Sequence, residues 1–170
     1  MGLYCPSFAR PESVNRPDLL PSTKETVIVT QPRITKGQTK RLTSLISQVE
    51  EASGVRIRVL VQDYPNTPGL AIKDYWGLGS DTSGGDDKYV VLVADDFGGK
   101  GNLLNFNVSP EVDLLVSPAY FSRLSGKYGT KFYVRDKGED IAIMDAVEDL
   151  AACLVGEEGM CSVVKGTERK

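Results

Sequence analysis

Carboxylates are the side chains of this sequence best placed to do chemistry, and they bracket one apolar run. Asp81, Asp86 and Asp87 precede Tyr89–Ala94, and Asp95 and Asp96 follow it. The chain contains no histidine, which removes Ser-His and Cys-His nucleophile pairs, an imidazole base and His-ligated zinc or haem. What remains is carboxylate, lysine, tyrosine or cysteine chemistry, or a hard cation held by oxygen ligands. The three cysteines, Cys5, Cys153 and Cys161, are too few and too scattered for a metal knuckle. They allow a local Cys153–Cys161 bridge, or a Cys5–Cys161 bridge if the termini meet, and an oxidising compartment favours either.

The acids are positioned by a short series of elements. Tyr89, Val90, Val91, Leu92, Val93 and Ala94 run without a polar break, which predicts a strand buried on both faces. Val55–Val61 alternates an apolar face with Arg56 and Arg58, a second strand pattern. Between the two strands stand the turn residues Asp63–Gly69, a short helix from Leu70 to about Trp76 and a Gly-rich loop. Strand, helix, strand of these lengths is a right-handed crossover, so the two strands are expected to be parallel. Asp95–Asn102 then reads as a wide hairpin connection, with residues 103–108 returning antiparallel.

Around this unit, Thr26–Thr30 reads as a short edge strand stopped by Pro32. Leu42, Leu45, Ile46 and Val49 predict a helix over 36–52, capped at Gly54. Ser117-Pro118 opens a helix over 118–127, Phe132–Val134 reads as a short strand, and Ile143, Val147, Leu150 and Leu154 mark a helix over 139–154. The fold class is therefore α/β: a single-domain sheet flanked by helices, mixed parallel and antiparallel, with a βαβ unit. The organisation is an extended Pro-rich arm over 1–23, the α/β domain over 24–155 and a loose polar tail over 156–170.

With 170 residues the chain suits one domain with an adequate core. Its net charge of −3 recommends neither a nucleic acid nor an anionic membrane as partner. No apolar run approaches the roughly 20 residues of a membrane span, and the N-terminus lacks the apolar core of a signal peptide, so a soluble protein is expected.

Strand length separates the acids into two rims. At about 3.3 Å per residue, Asp87 and Asp95 stand roughly 26 Å apart. Asp63 joins Asp95 and Asp96 at the C-terminal ends of the parallel strands, where open sheets usually bind ligands. The antiparallel strand brings Ser109, Glu111 and Asp113 towards Asp81, Asp86 and Asp87. That second rim offers more oxygens to a cation, although it does not match an EF-hand loop. Acidic turns facing water are the ordinary alternative for both rims.

Several strings together resemble the TPM-domain family: the helix ending at Gly54, the strand Val55–Val61, Trp76-Gly77-Leu78-Gly79, the Asp-containing loop and Tyr89–Ala94. Within it the match is to the small soluble thylakoid-lumen branch of plants, through Asn15–Pro21, Tyr64–Asp74, Leu104–Val108 and Gly126–Gly129. The resemblance covers roughly Val14 to Ala152. It implies a small α/β sandwich in the chloroplast thylakoid lumen, linked to photosystem II maintenance, with the transit peptide absent from this sequence. Acid phosphatase activity and calcium binding belong to a related branch. The family's acidic positions correspond to the neighbourhoods of Asp86–Asp87 and Glu111, which directs a Ca2+ or Mg2+ site to the second rim: Asp81, Asp86, Asp87, Glu111 and Asp113. This chain departs from the family at Asp86-Asp87-Lys88-Tyr89 and at Asn107–Glu111, which weakens the case for a backbone-lined phosphate pocket. The membrane helix that ends some relatives is replaced by the polar stretch Gly156–Lys170.

Two functions follow from different classes. As an accessory or assembly and repair factor, the protein would bind a photosystem protein subunit through Tyr64, Tyr75 and Trp76, aromatics being common interface anchors; core packing is the ordinary alternative for Trp76. As a metal-dependent acid phosphatase, it would use Asp86 or Asp87 to hold the ion and Glu111 to position water. The absence of histidine favours the first. Lumen acidification in the light would also protonate clustered carboxylates, making binding depend on pH.

Overall fold

The computed structural model describes residues 15–79, 87–96 and 101–156. A four-stranded sheet in the order β1-β2-β3-β4 forms its centre. The strands are β1 (Val27–Val29), β2 (Arg56–Val61), β3 (Tyr89–Ala94) and β4 (Leu104–Val108). β1 pairs with β2 and β2 with β3 in parallel, whereas β4 runs antiparallel to β3. β1 is thus the expected edge strand, and the βαβ unit is β2, α2 (Ala71–Trp76) and β3.

Alternation sends two side-chain sets to opposite faces. Ile57, Val59 and Val61 of β2, with Val90, Leu92 and Ala94 of β3, enter the main core. That core is closed by α1 (Lys36–Ser53), α4 (Pro118–Tyr128) and α6 (Glu139–Val155). The helix starts are chemically specified. Thr35 and Gln38 form a reciprocal capping box on α1, and Gly54 ends that helix at φ 78°, a conformation that favours glycine. On α6, Ala142, Ile143, Ala146, Val147 and Leu150 are buried in the main core.

The other face carries a smaller core of Ile28, Leu60, Trp76, Leu78 and Val91. Tyr75 and the arm residue Leu20 pack against it. From Asn15 onward the arm is tied down: the Arg16 amide donates to the Thr67 carbonyl at 3.1 Å, and the Asn15 side chain accepts from the Ala71 amide at 3.1 Å. A 3-10 turn spans Pro17–Leu19.

Two elements differ from the sequence expectation. Phe132–Val134 is helical, inside α5 (Lys131–Lys137). Thr130 caps that helix by accepting from the Tyr133 amide at 3.3 Å, and the Tyr133 ring stands edge-on to Tyr128 at 5.2 Å. The β-prone triplet has no strand to join, because the sheet ends at β4, so the local preference is overridden. In addition, Pro110–Asp113 forms a short helix, α3, where no element was expected. Among the described residues, no helix is long and apolar enough to cross a membrane.

Candidate functional site

The parallel register determines which acids meet. Val61 stands opposite Ala94, so Gln62-Asp63 and Asp95-Asp96 leave the sheet side by side. Carboxylate oxygens of Asp63, Asp95 and Asp96 lie within 4.8 Å of one another. Asp95 is fully buried and accepts from Gln62 Nε2 at 2.8 Å and from the Tyr64 amide at 3.2 Å. This is the first rim of the sequence reading.

An arginine stands among these acids. Arg33 lies between β1 and α1, where Thr30 prolongs the sheet by donating its amide to the Val61 carbonyl at 2.8 Å. Arg33 Nη2 lies 3.5 Å from Asp63 Oδ1 and 3.4 Å from Asp96 Oδ1, and Nη1 pairs with Glu139 at the start of α6. Burial works against its charge, but Glu139, Asp96 and Asp63 outweigh that and raise its pKa. Three carboxylates at this spacing would suit a hard cation. With a guanidinium already on two of them, the residues present do not fit a bound calcium ion.

On the second rim Asp87 is buried and committed to internal partners. Oδ1 pairs with Arg56 Nη2, and Oδ2 accepts from the Gly79 amide. Arg56 also donates to the carbonyls of Trp76 and Gly77 at 3.1 and 3.2 Å, closing the end of α2. The buried Ser109 hydroxyl accepts from the Tyr89 amide at 3.0 Å, which fastens the end of β4 to the start of β3. Glu111 is half-buried and Asp113 exposed, both on α3. Among the described residues, no set of three acids converges on this rim. Asp81 and Asp86 lie outside the described residues.

Of the three aromatics proposed as partner anchors, Tyr75 and Trp76 have internal work. Trp76 is 6% exposed and its indole N–H donates to the Glu25 carbonyl at 2.7 Å. Burial in the smaller core thus corrects the picture of Trp76 as an exposed anchor. The Tyr75 hydroxyl donates to the Thr23 carbonyl and accepts from the Glu25 amide at 2.8 Å. Tyr64 is half-buried beside Asp95. Tyr75 and Trp76 therefore hold the N-terminal arm against the sheet.

A network that the sequence did not announce lines a groove of about 940 Å³ between α4 and α6. Asp149 accepts from Tyr120 at 2.5 Å and from Tyr128 at 2.8 Å, and Asp145 accepts from Tyr133. Burial first, then the bond to Asp149, raises the pKa of Tyr120 and Tyr128 well above the ordinary tyrosine value. The bond to Asp145, helped by burial, pushes Tyr133 up to about 12. Only the i, i+4 spacing of Asp145 and Asp149 hinted at a shared face. Spectrophotometric titration of the native protein is expected to leave Tyr120, Tyr128 and Tyr133 un-ionised at about pH 11, with these three ionising near pH 10 once it is unfolded. Because the native values are raised, the stability these bonds contribute is complete below about pH 10 and is lost as pH climbs through the native values. All three ionising near pH 10 in the folded protein would disprove the network.

Cys153 at the end of α6 is disulfide-bonded, with its partner sulfur outside the described residues. Cys5 and Cys161, on which the pairings considered from the sequence depend, lie outside the described residues.

Comparison with known proteins agrees with this architecture. No family model matches the chain. Over 141 residues, 83% of its length, it is 45% identical to "Thylakoid lumenal 15.0 kDa protein 2, chloroplastic" of Arabidopsis thaliana. The chain spans 59% of that relative. In three dimensions it is similar to the solution structure of the N-terminal domain of a protein from P. gingivalis, with a TM-score of 0.58 at 14% identity, covering 98% of this chain and 95% of the other. The chain is thus similar in sequence, over most of its own length, to a chloroplast thylakoid lumenal 15.0 kDa protein, and it shares the α/β fold of that N-terminal domain.

Proposed function

We propose that this protein is a non-catalytic accessory factor of the thylakoid lumen that docks on a photosystem protein subunit. The observation that carries the reading is the state of Asp87. A metal-dependent phosphatase on the second rim would hold its ion with Asp86 or Asp87, and of these two the structure describes Asp87. Both of its oxygens are instead engaged, one by Arg56 and one by the Gly79 amide. Freeing them would leave the half-buried Arg56 without its carboxylate and the Gly79 amide without its acceptor. The compartment is supported by the lumenal relative and by the disulfide at Cys153, since such bonds persist in oxidising compartments.

Two measurements test this. Hydrolysis of p-nitrophenyl phosphate, with calcium or magnesium and at neutral and mildly acidic pH, is expected to stay at the level of an Asp87→Asn variant. The protein is expected to co-sediment saturably with salt-washed photosystem II membranes and to be displaced by unlabelled protein. Metal-dependent turnover that disappears in Asp87→Asn, or a protein that stays in the supernatant throughout, would overturn the proposal.

A further inference from the structure

We infer that the outer edge of β4 is a self-association surface, on which a second copy of this chain pairs antiparallel about Asn107. The direction of the β4 backbone carries the inference. The Asp95 amide donates to the Leu103 carbonyl at 2.9 Å, and the Ser109 amide donates to the Tyr89 carbonyl at 3.0 Å. Leu103 and Ser109 therefore turn their backbone polar groups towards β3. In the register Val91↔Asn107 and Val93↔Asn105, Asn105 and Asn107 do the same. Leu104, Phe106 and Val108 point theirs the other way, out of the sheet.

That outward row is closed at both ends. The Leu104 amide donates to Asn102 Oδ1 at 2.9 Å, and the Leu104 carbonyl accepts from Ser125 Oγ at 3.0 Å. At the other end Pro110 opens α3 and has no amide proton to offer. Between these ends, among the described residues, Phe106 and Val108 face no further strand, because β4 is the last in the sheet. Sheet edges are ordinarily blunted by charge, proline or brevity. The opposite edge has all three: β1 is three residues long, follows Lys24-Glu25 and is stopped by Pro32. β4 has five residues, LNFNV, with neither charge nor proline.

A second copy fits this row without remainder. With a two-fold axis at Asn107, Phe106 of each copy stands opposite Val108 of the other, and each such pair exchanges both of its amide–carbonyl bonds. Every outward group of Phe106 and Val108 is then satisfied on both copies. The exposed Asn107 side chains meet across the axis in a close, non-hydrogen-bonded pair, with Cα atoms about 4.5 Å apart. On the core side, the half-buried Phe106 and Val108 cover one another. An axis at Phe106 would instead set Val108 opposite Leu104, whose groups are already taken by Asn102 and Ser125. Pairing by one short strand falls below the roughly 1,200 Å² of a stable interface, so the dimer is a weak one.

The test is sedimentation velocity of the full chain, its free thiols alkylated, over about 5–300 μM. Wild type is expected to pass from monomer to dimer with a Kd on the order of 10⁻⁵ M. Asn107→Lys sets two ammonium groups face to face and is expected to stay monomeric throughout, as is Asn107→Asp. An equimolar mixture of the two is expected to regain the dimer. Both variants are expected to melt like wild type, because the position is exposed. In a second measurement, Asn107→Cys is expected to oxidise in air to a covalent dimer, since about 4.5 Å lies within the Cα range of a disulfide. Asn105→Cys, which would face Ser109 of the second copy, is expected not to do so. Wild type that stays monomeric at the highest concentration overturns the inference. So does a dimer that survives Asn107→Lys, a mixture that stays monomeric, or an Asn107→Cys chain no more cross-linked than Asn105→Cys.

Discussion

Replacing Arg56 with methionine is expected to destabilise the protein by about 3 kcal/mol, near the lower end for breaking a buried ion pair. At this chain length that is a fall in Tm of about 6–12 °C. Asp87 is only 7% exposed and Arg56 25% exposed, so removing the arginine strands a carboxylate that cannot reach water. The variant also uncovers the Trp76 and Gly77 carbonyls at the end of α2. Asp87→Asn is expected to cost less, about 1–2 kcal/mol, because the asparagine can still accept from the Gly79 amide and the arginine can turn towards solvent. Urea unfolding of both single variants and of the double variant forms the check. A double variant equal to the sum of the singles within about 0.5 kcal/mol would show that the two side chains do not act as a pair.

Trp76→Ala is expected to have a comparable or larger effect, about 3–5 kcal/mol, the range for truncating a buried aromatic. Trp76 fills the smaller core against Ile28, Leu60, Leu78 and Val91, and its indole N–H satisfies the Glu25 carbonyl. Trp76→Phe keeps most of the apolar contact and is expected to lose only about 1 kcal/mol, the net worth of one hydrogen bond. The change should also be local in its dynamics. With Trp76 gone, the segment Asn15–Glu25 loses a main attachment, so trypsin is expected to cut at Lys24 in native buffer well before it cuts the sheet. A Trp76→Ala protein with unchanged stability and digestion would mean that the side chain is a surface anchor after all.

How far the fold was legible follows from particular residues. Ile57, Val59 and Val61 alternate with Arg56, Arg58 and Leu60, and Leu42, Ile46 and Val49 recur at helical spacing. In these segments the period alone sets which face is buried, and strand and helix limits agree with the structure to within a residue or so. Gly54 marked the end of α1 because a left-handed cap residue is a local requirement. Phe132–Val134 failed for the opposite reason. Its composition favours a strand, but a strand needs a neighbour, and whether one exists is not written in three residues.

The candidate site divides along the same line. Strand length and a parallel crossover were enough to put Asp63 with Asp95 and Asp96 on one rim and Asp87 on the other, because each step of extended chain has a nearly constant rise. The choice between the rims went to the second on the strength of acid count and resemblance. Among the described residues the structure gathers carboxylates on the first rim and commits Asp87 to Arg56, while Asp81 and Asp86 lie outside them.

The sequence by itself determined the α/β class, the parallel crossover, the separation of the acids and the exclusion of imidazole chemistry, since these depend on residue inventory, periodicity and chain reach. Only the tertiary structure decided which acids carry a partner. Arg33 is 30 residues from Asp63 and 106 from Glu139, and Arg56 is 31 from Asp87. No spacing rule joins charges over such intervals. They meet because β1, β2, β3 and α6 are brought to common edges by burial of their apolar faces, and the ion pairs form where that packing leaves the charged side chains close together.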